Sequence, residues 1–109
     1  MPSDTSQRFE VVLTRQAERD LRDLRPWTAQ ATRVLLQLEE QPLRGHPLTG
    51  SLSGARALEF SLRGGGAYRA AYVVLNDERV CLVFLVGPHE NIYARAERRL
   101  AALRRSGEI

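Results

Sequence analysis

The residues in this chain whose types could do chemistry are a few arginines, two histidines, a glutamate and a tyrosine, most of them near its second half. Arg63 and Arg69 lie on either side of a glycine turn. Two guanidinium groups brought to one face of a sheet would hold a phosphate and offset the charge it gains in a transition state. His89, followed by Glu90, comes just after an apolar run. Imidazole is the side chain best suited to proton transfer near neutral pH, and the loop at a strand's end is a common place for functional groups. Tyr93, one turn further on, could stack on a base while its hydroxyl reaches a phosphate. His46 and Glu59 could each act as a base. Each group also has a plainer reading: solvated edge arginines, a loop histidine bonded to its own turn, a tyrosine in an apolar helical stripe, a glutamate paired with a neighbouring arginine.

Charge narrows the chemistry. The chain carries 16 basic and 13 acidic residues for a net charge of +3, and every basic residue is arginine. Arginine stays charged at all working pH values and grips phosphate at two points, but it is a poor proton donor or acceptor. Acid–base work must therefore fall to His46, His89, the carboxylates or the tyrosines. The basic excess is compatible with a nucleic-acid partner without proving one. Two histidines and one cysteine without metal-ligand spacing argue against zinc, and no cofactor is expected. Gly64-Gly65-Gly66 precedes a strand, so it is no phosphate loop at a helix start, and no G-x-S-x-G element is present.

The elements that must position these residues follow from periodicity. A chain of 109 residues suits a single domain over 1–109 with one core, and the polar stretch Met1–Gln7 is expected to be flexible. With no signal-peptide core and no apolar run of about 20 residues, the cytoplasm is the expected compartment and no membrane is involved. Residues 9–13 read as a strand, and Thr14 as the cap of a helix with Ala17, Leu21 and Leu24 on one side. Pro26 ends that helix. Trp27, Ala31, Val34, Leu35 and Leu38 make the stripe of a second one, which Pro42 closes, so the two should form an antiparallel hairpin. The segment with Gly45, Pro47, Gly50 and Gly54 is too punctuated to be regular.

Strands are then predicted at 57–63, 68–75 and 79–86, the last apolar on both faces and stopped by Gly87 and Pro88. Tight turns make these three an antiparallel meander. Asn91 could cap a final helix with the stripe Tyr93, Ala96, Leu100 and Leu103 and a basic outside of Arg95, Arg98, Arg99, Arg104 and Arg105. The fold class is α+β, with the helical hairpin over one sheet face. The other face, carrying Glu59, Ser61, Arg63 and Arg69, needs less cover. Lone Cys81 sits in an apolar run, where a thiol behaves as a small hydrophobe.

Three stretches carry a resemblance: 58–63 (Leu-Glu-Phe-Ser-Leu-Arg), 68–72 (Tyr-Arg-Ala-Ala-Tyr) and 83–93, which ends Val-Gly-Pro-His-Glu-Asn-Ile-Tyr. A strand ending in Arg, a turn, Tyr-Arg-x-x-Tyr, a strand, Gly, a short loop, Tyr and a helix together resemble the RelE/ParE superfamily of bacterial toxins, over roughly residues 8–104. The resemblance implies a RelE-like fold with an antiparallel sheet, an N-terminal helical hairpin on one face and a C-terminal helix. It implies a type II toxin whose RelE-like branch cuts mRNA in the ribosomal A site, with a small, acidic, partly disordered antitoxin as partner in a hetero-oligomer. On this likeness Arg69 binds the scissile phosphate, Arg63 is a second basic position, His89 falls where some members have a catalytic histidine, and Tyr93 stacks on the substrate base. His46 falls near a glutamate base of YoeB-like members. Glu59 and Ser61 stand where RelE carries lysines, so the chain looks closer to the YoeB or HigB style; Arg63, Arg69, Tyr93 and Ser61 would touch RNA. The ParE branch, which poisons DNA gyrase, is the alternative, and a non-catalytic antitoxin-binding relative is a third.

Overall fold

A computed structural model describes residues 8–64 and 66–109; the stretch expected to be flexible, Met1–Gln7, lies outside them. The predicted meander is present. Strands β3 (Arg56–Leu62), β4 (Gly66–Leu75) and β5 (Val80–Pro88) pair antiparallel in sequence order. Strand β1 (Glu10–Leu13) adds to β5, and a two-residue β2 (His46–Pro47) adds to β3, giving the order β1-β5-β4-β3-β2. Two expectations need correction. The sheet is not wholly antiparallel, because β1 pairs parallel to β5; more than half of the chain separates them, so no tight turn dictates their direction. The segment read as irregular holds an edge strand, with His46 opposite Ala57.

Between β1 and β2 run helices α1 (Arg15–Arg22) and α2 (Thr28–Leu36). Thr14 caps α1 as predicted, its side-chain oxygen accepting from the Ala17 amide at 3.1 Å. The hairpin covers one face of the sheet: Ala17, Leu35 and Leu38 pack with Leu58, Ala70, Tyr72, Cys81, Val83 and Val86. The opposite face is not left open. Helix α3 (Ile92–Ser106) lies on it, with Ile92, Ala96, Leu100 and Leu103 against Ala71, Val73, Leu82, Phe84 and Leu85. The buried stripe begins at Ile92, not at Tyr93: position 93 lies at the edge of the face shared by 92, 96, 100 and 103, and it is Ile92 that is buried while Tyr93 is exposed. Among the described residues no helix is long and apolar enough to cross a membrane.

One irregularity in β5 matters for function. Ala71 pairs with Leu85 but Tyr72 pairs with Val83, so Phe84 is an extra residue in the ladder. Phe84 and Leu85 therefore both face α3. The bulge inverts the alternation beyond it, so that Gly87, and by continuation His89, belong to the α3 face. The strand also runs through Gly87 and Pro88 rather than stopping there.

Tyr72 fastens the segment that carries His46. Its buried hydroxyl donates to the Pro42 carbonyl at 2.7 Å and accepts from the Gly45 amide at 2.9 Å. Burial pushes the phenol above its ordinary pKa, so it keeps the proton it donates. Arg56 donates to the carbonyls of Gly45 and Leu43 at 2.9 and 3.2 Å. Gly45 has no room for a side chain: a Cβ there would lie 2.7 Å from the Ala57 carbonyl oxygen. Tyr72→Phe is expected to lower unfolding free energy by about 2 kcal/mol, since it orphans a buried amide and a carbonyl. Urea unfolding at constant slope measures it, and an unshifted midpoint would show that Arg56 alone holds the segment.

Candidate active site

The α3 face of the meander gathers polar side chains around Arg69. In register, Arg69 of β4 stands between Glu59 of β3 and Gly87 of β5. Directly opposed residues share a face, so Glu59 meets the guanidinium: its Oε2 lies 2.8 Å from Nη2. His89 Nε2 is 3.0 Å from the same nitrogen, and Nη1 donates to the Tyr93 hydroxyl. The guanidinium carbon stands 5.0 Å from the centre of the Tyr93 ring, within cation–π range. The Arg69 side chain is only 12% exposed, against 50% for Glu59. Its Nε is buried without a hydrogen-bond partner.

Local structure explains how the pieces arrive. The bulge turns the end of β5 so that His89 faces Arg69, and the His89 amide donates to the Ala67 carbonyl at 3.1 Å. Asn91 then adopts a left-handed conformation (φ 58°, ψ 23°) that turns the chain into α3 and delivers Tyr93 one residue later than the buried Ile92. Asparagine is among the few non-glycine residues that tolerate this region. Asn91 thus occupies the cap position as expected, but its side chain makes no capping bond. An arginine nitrogen can only donate, so the contact with His89 requires Nε2 to accept, with any ring proton on Nδ1.

Arg69, His89, Glu59 and Tyr93 are therefore brought together. Tyr93 is 41% exposed and outside the core stripe, contrary to the reading from spacing alone. Arg63 is not brought alongside: the register ends at Leu62 opposite Gly66, which leaves Arg63 in the exposed turn, about 14 Å of strand beyond Glu59. Ser61 shares the face, opposite Ala67, exposed at the rim near His89. His46 lies on the same face through its pairing with Ala57, and with Leu48, Tyr93 and Glu97 it lines an open groove of about 400 Å³. Tyr93 is the side chain common to this groove and the Arg69 cluster.

Sequence reasoning missed Arg95 and Arg99, which it placed on the outer face of the last helix. Arg99 turns inward to Asp20 of α1, with Nη1 2.6 Å from Oδ2. Arg95 lies over β5, its Nη2 3.1 Å from where a Cβ on Gly87 would be. The signal was available in the helical wheel: 95 and 99 flank the buried positions 92, 96 and 100. Cys81 is fully buried, and desolvation lifts its thiol to about 11, which leaves it inert at neutral pH.

A five-stranded sheet built on a meander, with helices on both faces, defines an α+β protein of RelE-like fold. The family described as ParE toxin of type II toxin–antitoxin system, parDE, matches residues 11–93. The chain therefore belongs to this family, within the RelE/ParE superfamily of type II toxins. Among solved structures, the RelBE2 toxin–antitoxin complex of Mycobacterium tuberculosis is similar at 25% identity and a TM-score of 0.67, over 77% of this chain and 94% of that one. A doubly arginine-to-alanine-substituted toxin RelE of E. coli in the free state matches at 22% identity and a TM-score of 0.67, over 88% of this chain and 98% of that one. The intact E. coli RelBE complex matches at 26% identity and a TM-score of 0.54, over 76% and 99%. A comparison with curated protein sequences finds no match.

Proposed function

We propose that this toxin is a ribosome-dependent mRNA endoribonuclease that uses the 2′-hydroxyl of its substrate as nucleophile. The observation that carries the reading is the convergence of His89 and Tyr93 on different nitrogens of one buried guanidinium. A phosphate bound to Arg69 would have a base on one flank and an acid on the other, as displacement at phosphorus with attack and departure on opposite sides requires. His89 Nε2 takes the 2′-OH proton as that oxygen bonds to phosphorus. The bond to the 5′-oxygen breaks, and this oxygen takes a proton from Tyr93. The products are a 2′,3′-cyclic phosphate and a free 5′-hydroxyl, and Arg69 offsets the added charge. Glu59 is the competing base and His46 the more distant one.

Each placed acid or base is worth roughly 100- to 10,000-fold, and positioning by the ribosome supplies part of the rest. The nucleophile belongs to the substrate, so the chemistry asks for no metal and spares DNA. Glu59 occupies Arg69 in the free protein; half exposed, it can swing aside when phosphate arrives.

Relatives of this fold were solved with antitoxins bound. By that likeness, and by its net charge of +3, this toxin takes a small acidic antitoxin that folds on binding and covers the same arginines. The gyrase-directed reading is supported by the family match itself, which is to ParE toxins. Brief induction followed by primer extension separates the two. Cuts within codons of translated messages are expected. Intact messages with accumulated gyrase–DNA cleavage complexes would replace this reading by the ParE one, and harmless expression without an antitoxin would leave a binding protein only.

A further inference from the structure

We infer that Arg95 and Arg98 form a second phosphate-binding subsite, continuous with Arg69, that takes a neighbouring phosphate of a single-stranded RNA. This rests on the reading of the Arg69 cluster as an RNA site. Arg69 and Gly87 are directly paired, so their Cα atoms stand about 5 Å apart. Because Gly87 has no side chain, the Arg95 guanidinium can lie on the strand beside Arg69; even its Cζ comes within 4.0 Å of where a Cβ would be. A second cation thus reaches the place that the turn denies to Arg63.

Arg95 is not spoken for. Among the described residues no carboxylate lies within ion-pair distance of it, and its Nε is buried with no acceptor. A buried guanidinium donor without an acceptor is costly, and a phosphate oxygen would relieve it. The same side chain lines a cleft of about 260 Å³ between α1 and α3, with Gln16, Arg98 and Arg99. Arg99 is neutralised by Asp20, which leaves Arg95 and Arg98 as the net charge and Gln16 as a neutral donor. The occupant is an anion; with Arg69 read as the seat of the scissile phosphate, its contiguity with Arg95 makes a neighbouring phosphate of the same strand the occupant, and an antitoxin carboxylate is the competing outcome of the test.

The test uses the full chain and a fluorescein-labelled single-stranded RNA octamer, 2′-O-methylated throughout so that it cannot be cut. Anisotropy is recorded from low to moderate salt. Arg95→Ala is expected to weaken binding about tenfold and to flatten the salt dependence by about 0.7 in slope, the value for one phosphate contact on a single strand. Gly87→Ala keeps every charge but takes the seat of the guanidinium, and is expected to weaken binding several-fold. Arg105→Ala, an exposed arginine at the far end of α3, stays within twofold. Arg95→Gln serves if the alanine variant unfolds.

Arg95 variants that bind like the parent while Arg69→Ala loses binding would overturn the subsite and leave the RNA reading standing. A parent that ignores the octamer even at low salt would overturn both. Arg95→Ala that loses only an acidic peptide would assign the cleft to a protein partner instead and overturn the phosphate assignment.

Discussion

Arg69→Ala is expected to lower mRNA cleavage about 1000-fold while leaving the protein folded. Removing one preorganised donor from a site that stabilises a developing anion costs about 100- to 1000-fold. Arg69 belongs at the upper end because it also holds His89 and Tyr93, so its loss releases base and acid together. Arg69→Lys should recover little: a point charge on a flexible stem cannot span three partners as a planar fork does. Stability should barely change, since the ion pair with half-exposed Glu59 contributes at most about 1 kcal/mol. Primer extension at a single cut, read beside a thermal melt, measures both. Cleavage at the parental rate by a folded Arg69→Ala protein would remove the phosphate-binding role and with it the proposed mechanism.

Much of the fold was legible because it is periodic. Leu58, Phe60 and Leu62 against Glu59 and Ser61 declared a half-buried strand, and Thr14 before an amphipathic run declared a capped helix. Pairing between distant segments carries no such signature. Nothing near residues 10–13 says that they lie parallel to β5, and a two-residue strand at His46 is too short to have a period. The bulge was hidden by its own composition. In a run such as Leu82-Val83-Phe84-Leu85-Val86 every residue is apolar, so alternation cannot show where it inverts.

The residue types in Tyr-Arg-x-x-Tyr and after the apolar run pointed to Arg69, His89 and Tyr93, and the structure brings all three together. Arg63 seemed Arg69's natural partner because both sit near one turn, but strand register, fixed by turn length, gives the place to Glu59. Arg95 and Arg99 were hidden for another reason. A basic helix face reads as solvated by default, and only the packing of α3 onto β5 shows which arginines its edges bury.

The clamp at the bulge carries the second large expectation: Asp20→Ala should destabilise the fold by about 3 kcal/mol. β1 ends at Leu13, with the Thr14 amide on the Val83 carbonyl, so beyond that point the β5 edge has no strand partner. Asp20 fills the gap. Its Oδ2 accepts from the Val86 amide at 3.0 Å, and its two oxygens take Arg99 at 2.6 and 3.2 Å. Arg99 also donates to the Phe84 carbonyl at 3.0 Å. Both side chains are largely buried, 12% and 18% exposed. Truncating Asp20 leaves an amide without its acceptor and a guanidinium without its counter-charge; breaking a buried pair this way costs about 3–5 kcal/mol, set at the low end here for partial exposure. Asp20→Asn, which keeps the shape and the amide's acceptor, should cost less than half as much. Asp20→Ala with Arg99→Ala should cost less than the sum of the two, because the stranded charge goes with its partner. Urea unfolding measures all three. The same clamp holds the bulged residue Phe84 and, two residues on, Val86, and so the bulge that faces His89 towards Arg69. Asp20→Ala should therefore also slow cleavage at a temperature where the variant is still folded, and a variant that loses stability but cuts at the parental rate would show that His89 is held by the Ala67 carbonyl alone.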